Sequence, residues 1–125
     1  MKPFKLTIIF LVFAFSGCGG GSSSSSEPVA AAFEITGVSK LMKTYGAPYL
    51  VVTITNTGNL AAWNVSCDVY AKMGNTYVDD SFLYFLSGGT INPGESAIDD
   101  AIFFALSSHS DYDDIVYQCS WIEVD

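Results

Sequence analysis

Trp63-Asn64-Val65-Ser66-Cys67-Asp68-Val69-Tyr70-Ala71-Lys72 decides the fold class of this chain. Trp63, Val65, Cys67, Val69 and Ala71 alternate with Asn64, Ser66, Asp68, Tyr70 and Lys72, and a period of two puts each set on its own face of a β-strand. The first set is expected to point inward and the second outward, as in a central, half-buried strand of an antiparallel sheet.

The flanking sequence repeats that pattern. Tyr49 to Thr55 is rich in β-branched residues, with Leu50, Val52 and Ile54 on one face and Val51, Thr53 and Thr55 on the other. Asn56-Thr57-Gly58-Asn59 turns the chain, as does Gly74-Asn75. Phe33-Glu34-Ile35-Thr36 starts an earlier strand, and Lys43 to Pro48 is a loop. Thr76 to Leu86 supplies one or two strands. Asn92-Pro93-Gly94-Glu95 is a strong turn, because Pro fixes φ and Gly admits positive φ. Ala97 to Leu106 and Ile115 to Val124 are the last strands, with Ile115, Tyr117, Cys119 and Trp121 in phase. No segment keeps a helical period. Turn residues about every ten positions describe an all-β sandwich.

This order resembles the FxLYD-type domains, small immunoglobulin-like sandwiches of bacterial exported proteins. Val52 to Gly58 is similar to that family's strand ending in an Asn-x-Gly turn. Cys67-Asp68-Val69-Tyr70-Ala71 stands where the signature belongs, with Tyr70 the identical position. Ile91-Asn92-Pro93-Gly94-Glu95-Ser96 is similar to its Pro-Gly-Glu turn. The resemblance implies an immunoglobulin-like antiparallel sandwich of about seven strands over residues 32–125, and it implies no activity.

The chain opens differently. Lys2 and Lys5 precede an uninterrupted apolar run, Leu6 to Phe15, with Ser16-Gly17 before Cys18. That is the layout of an export signal. The run is too short for a membrane span, which takes about 20 residues. Ser16-Gly17-Cys18 resembles the lipobox of bacterial lipoproteins, although Phe15 replaces the usual Leu. The resemblance implies removal of residues 1–17 and acylation of Cys18, and two or three acyl chains hold a protein stably in a bilayer. Residues 18–31 then form a lipidated, Gly/Ser-rich tether, the most flexible linker composition. Gly19 stands where that family places an inner-membrane retention Asp, which favours the outer membrane of a two-membrane cell.

The chain has 125 residues, room for one domain and one modest core. It carries 5 basic and 13 acidic residues, a net charge of −8. Without Lys2 and Lys5 the balance is 3 − 13, or −10. Such a surface repels phosphate backbones and anionic headgroups, which excludes nucleic acid as a partner.

Few residues invite chemistry. Cys67 and Cys119 both fall on inward phases, and an exported protein meets an oxidising compartment, so they are expected to form a disulfide. By analogy with immunoglobulin-like domains, it would join the two sheets beside Trp63 or Trp121. Two buried free thiols are the alternative. His109, in Ser107-Ser108-His109-Ser110, is the one histidine, and no serine sits in a strained nucleophile motif. It reads as part of a solvated loop. Asp111, Asp113 and Asp114 share a loop and are weak candidates for calcium, lacking the Asp-x-Asp-x-Asp-Gly pattern. Asp79-Asp80 and Asp99-Asp100 are adjacent on strands and point to opposite faces. Asn64-Val65-Ser66 fits a glycosylation sequon by chance. Tyr70 and Tyr77 are candidates for an exposed interaction patch, although aromatics on a sandwich more often pack in the core. The expectation is therefore a non-enzymatic protein without cofactors, anchored to the membrane through Cys18. It would present its sandwich to another envelope protein, or, as the alternative, bind calcium or a glycan.

Overall fold

Leu50, Val52 and Ile54 are fully buried while Val51, Thr53 and Thr55 are only partly so, and the alternation runs unbroken through the strand that carries them. The computed structural model describes residues 6–11 and 29–124. Its strands are β1 (Leu6–Leu11), β2 (Phe33–Met42), β3 (Pro48–Asn56), β4 (Ala62–Met73), β5 (Thr76–Tyr84), β6 (Ser96–Ile102) and β7 (Asp114–Glu123). They form two antiparallel sheets, one ordered β1-β7-β4-β5 and the other β2-β3-β6. The inward residues of both sheets meet in one core that includes Leu50, Val52, Ile54, Val65, Val69, Phe103, Tyr117 and Trp121. The all-β sandwich read from the sequence is thus the fold.

In immunoglobulin lettering, β2-β3-β6 corresponds to strands A-B-E and β7-β4-β5 to F-C-C′. Residues 33–123 contribute six strands, one fewer than expected. The seventh, β1, comes from the apolar run read as an export signal and takes the position of strand G. The strands also stop short of their expected ends. β5 gives way at Tyr84 to a 3₁₀ turn, Phe85–Gly88, where Leu86 and Ser87 have φ of 53° and 51°. β6 ends at Ile102.

Cys67 and Cys119 are disulfide-bonded, at an S–S distance of 2.02 Å. The bridge does not join the sheets. Cys67 and Cys119 are direct partners in the β4–β7 ladder, with Cα atoms 3.9 Å apart, so it staples neighbouring strands of one sheet. Both cysteines are inward on strands that pair side by side, which makes the sideways path the shorter one. Trp121 lies two positions along the same inward face, fully buried, its ring 4.8 Å from that of Phe33. Its indole N–H has no acceptor among the described residues.

Trp63 departs from the expected phase. A bulge between Trp63 and Ser66, with Asn64 at φ 56°, shifts the start of β4 by one residue. Ala62 takes the inward place and Trp63 turns out to solvent, 44% exposed.

Asn56 is the one buried polar residue among those described. Its Nδ2 donates to the carbonyls of Leu60 (2.9 Å) and Ile91 (3.0 Å), and its Oδ1 accepts from the N–H of Gly58 (3.0 Å) and Ala32 (3.4 Å). Its main chain bonds Glu95 O and Gly94 N. One side chain therefore ties together the approach to β2, the turn after β3 and the loop before β6. Gly58 fits against this knot because a Cβ there would collide with the backbone of Ala30–Ala32.

Candidate functional site

The outward positions of the β4–β5 ribbon gather most of the exposed aromatic surface. Ser66, Asp68, Tyr70 and Lys72 on β4 stand opposite Tyr84, Phe82, Asp80 and Tyr77 on β5. Strict alternation would put Tyr77 on the other face from Phe82. A register shift between Ala71 and Lys72 corrects this, so that Val78 packs against the core and Tyr77 turns outward. Tyr77 is 62% exposed, Phe82 54% and Tyr84 42%.

The rings on this face are held in place. Tyr70 and Tyr77 meet edge to face with centroids 5.4 Å apart, and the Lys72 ammonium lies 5.4 Å from the Tyr77 centroid. Phe82 and Tyr84 stack at 6.2 Å. The Tyr84 hydroxyl donates to Asn64 Oδ1 at 2.8 Å, which links the ring to the bulge that exposes Trp63. It also rests on Gly88, whose φ of 86° suits glycine and whose absent Cβ would overlap that hydroxyl. Tyr77, Phe82 and Tyr84 are therefore exposed on one face, with Tyr70 half-buried beside them.

The acidic residues do something different. Asp111 Oδ2 accepts from the N–H groups of Ser107 (2.9 Å) and Ser108 (3.1 Å), closing a capping box around the short 3₁₀ turn His109–Asp111. Asp113 accepts from Gly74 N at 3.1 Å, and Asp114 from the N–H of Ile115 at 2.9 Å. Three neighbours in sequence thus address three separate backbone sites. Among the described residues no group of three or more His, Cys, Asp or Glu is placed to hold a metal ion. Asp79 bonds Ala105 N (2.9 Å) and Asp99 bonds Tyr84 N (2.7 Å), so both acidic pairs contribute one member to loop or edge capping. A short polar side chain beside a turn was the available signal for these caps.

His109 is more constrained than its polar loop implied. Nε2 lies 2.8 Å from Leu41 O, which can only accept, so Nε2 carries the proton. In the neutral ring Nδ1 then accepts from the Tyr112 hydroxyl at 2.6 Å. The histidine fastens the loop before β7 to the end of β2. Burial raises the pKa of the Tyr112 phenol, and burial together with the nearby Tyr112 pushes Tyr117 up to about 12. Val38, Leu50, Tyr112, Ile115 and Tyr117 line a cavity of about 250 Å³ between β2 and the start of β7.

Cys18, the proposed cleavage point and residues 18–28 of the tether lie outside the described residues, whereas Ala31, at the tether's expected end, is buried in the core. Among those described, no helix is long and apolar enough to cross a membrane. Comparison with protein-family models, with curated proteins and with solved structures finds no match to this chain.

Proposed function

We propose that this chain is an exported bacterial lipoprotein of the FxLYD type. Its acylated Cys18 holds it in the cell envelope, and its β-sandwich is a non-catalytic docking module for another envelope protein. The observation that carries the docking role is the aromatic face of β4 and β5. Contiguous exposed rings on a rigid sheet are what protein interfaces use as anchors, because Tyr and Trp present large area at small entropic cost. The stapled β4–β7 pair beneath supplies the rigidity. The lipobox-like residues and the Gly/Ser tract support the anchor and give the module a volume to search.

Mild-detergent co-purification from host cells tests this, comparing the wild type with Tyr77→Ala/Phe82→Ala and with Cys18→Ala. A stoichiometric partner that follows the wild type and is lost with the ring variant supports docking through this face. A partner retained by the ring variant removes the face from consideration. Recovery of the wild type from the soluble fraction refutes the anchor.

A glycan is the second reading, favoured by Asp68 and Asp80 lying among the rings on the same face. Apolar sugar faces stack on aromatic rings while hydroxyls donate to carboxylates. Quenching of Trp63 fluorescence by envelope polysaccharide, absent with Asp80→Ala, would distinguish it.

A further inference from the structure

Of the four strands at the sheet margins once β1 is set aside, three are guarded against chance pairing and one is not. β2 carries Glu34, Lys40 and a register shift between Ile35 and Gly37. β5 carries Asp79 and Asp80 and pairs through a register shift of its own. β6 carries Asp99 and Asp100. Charges and bulges of this kind keep exposed edges from recruiting foreign strands. β7 differs, because Ile115 to Ile122 contains no charge, glycine or proline. It has the composition of a strand paired on both sides.

Its second partner is β1, in unbroken antiparallel register from Leu6 opposite Ile122 to Leu11 opposite Tyr117. Thr7, Ile9 and Leu11 thereby occupy the positions opposite the inward-facing Trp121, Cys119 and Tyr117. On the export reading, residues 1–17 leave the mature protein and β7 loses that neighbour.

We propose that processing opens β7 as a strand-acceptor edge, completed in the mature protein by an extended, uncharged strand of an envelope partner. The proposal deepens the docking function and rests on the same cleavage before Cys18. The occupant runs antiparallel to β7 and offers apolar residues at alternate positions, as Leu6–Leu11 does in the precursor. This is β-augmentation, in which main-chain bonds give affinity and alternate side chains give selectivity.

The disulfide fixes which main-chain groups the occupant meets. A Cα separation of 3.9 Å belongs to the narrow, non-hydrogen-bonded pairs of an antiparallel ladder. Cys119 therefore aims its N–H and C=O away from β4, towards the open edge, and so do Tyr117 and Trp121. Gln118 and Ser120 face β4. The next inward position beyond Tyr117 is Ile115, which borders the 250 Å³ cavity. An occupant two residues longer than β1 reaches it with one more side chain.

The test uses the processed chain isolated from host membranes in mild detergent, with mass spectrometry of its N-terminus. The probe is a synthetic peptide of the Leu6–Leu11 sequence with solubilising lysines at both ends. Residue-resolved hydrogen exchange is expected to show fast amides at Tyr117, Cys119 and Trp121 and slow ones at Gln118 and Ser120, with peptide slowing the first three. N-methylation at the position of Ile9, which faces Cys119, is expected to weaken binding about tenfold or more through one lost main-chain bond and the clash of the added methyl with Cys119 O. N-methylation at the position of Ile8, which faces away, leaves it within about twofold. Extending the peptide by Ser-Leu strengthens binding roughly tenfold over Ser-Ser if the last side chain enters the cavity.

A processed chain whose three edge amides remain fast under saturating peptide overturns the acceptor edge and leaves the anchor standing. Slow edge amides without peptide, in a chain that dimerises, also overturn it, since a second copy then fills the edge. Retention of residues 1–17 in the isolated chain overturns the processing step and the anchor together.

Discussion

Replacing Asn56 by alanine is expected to destabilise the domain by about 3 kcal/mol. The figure follows from three side-chain hydrogen bonds of 3.0 Å or less, to Leu60 O, Ile91 O and Gly58 N, at about 1 kcal/mol each. The 3.4 Å contact from Ala32 N adds little. Ile91 O keeps a second donor, Ala62 N at 3.1 Å, so the loss falls on the turn after β3. Domains of this size have only about 5–15 kcal/mol in total, so urea denaturation followed by the fluorescence of buried Trp121 will register the change. Asn56→Asp sharpens the test. One carboxyl oxygen still accepts from Gly58 and Ala32, but the other confronts two carbonyls that can only accept. The ionised form is disfavoured in the fold, so the folded pKa rises above the unfolded value of about 3.9. A raised folded pKa gives stability that is intact below the unfolded pKa and falls as pH climbs through the folded one. Asn56→Asp should therefore lie closest to the wild type near pH 4 and furthest from it near pH 7. An alanine variant within about 1 kcal/mol of the wild type, or an aspartate variant whose deficit ignores pH, would refute this account of the knot.

Three other outcomes follow from the same structure. Cys67→Ala/Cys119→Ala should lose roughly 4 kcal/mol on the chain-entropy model for a separation of 52 residues, and the native unreduced protein should resist alkylation at both positions. Tyr117, with its pKa raised to about 12 against an ordinary 10.0, favours the neutral phenol in the fold, so stability is intact below pH 10 and falls as pH rises towards 12. The loss should total roughly 2–3 kcal/mol, and Tyr117→Phe should remove that share of the pH dependence in matched denaturation curves, leaving the contribution of Tyr112. Gly88→Ala should break the Tyr84–Asn64 hydrogen bond and cost about 1–3 kcal/mol through positive φ and overlap, visible as a displaced Tyr84 ring signal by NMR.

Alternation made β3, β4 and β7 legible, since burial on one face leaves a period-two record in the sequence. Ala71 and Val69 obeyed it; Trp63 did not, because a bulge resets the phase and the left-handed Asn64 that makes the bulge looks like any other polar strand residue. Cys67 and Cys119 were legible as a pair from their inward phases. Which neighbours they joined depended on β4 lying beside β7, a matter of topology that no local pattern carries. Asn56 was visible only as a turn residue, because its burial depends on Ile91 and Ala32, both distant in sequence. Tyr77 joined the aromatic face through a one-residue register shift. Asp111, Asp113 and Asp114 read as weak calcium ligands, whereas Asp111 caps amides of its own loop and Asp79, Asp99 and Asp113 cap main-chain amides supplied by other segments.

The sandwich also has a direction. Ala31, held by Glu123 through a 2.8 Å bond, lies with the Asn56 knot and the Asn92–Glu95 turn at one pole. Met42, the Gly74 hairpin and the loop after Phe103 lie at the other, where Tyr45 and Phe104 stack with centroids 6.4 Å apart and are 64% and 73% exposed. β3 spans the distance with 9 residues, about 30 Å. On the anchoring proposed through Cys18, the chain enters the domain at the first pole, and the Tyr45–Phe104 pair lies at the end farthest from that entry.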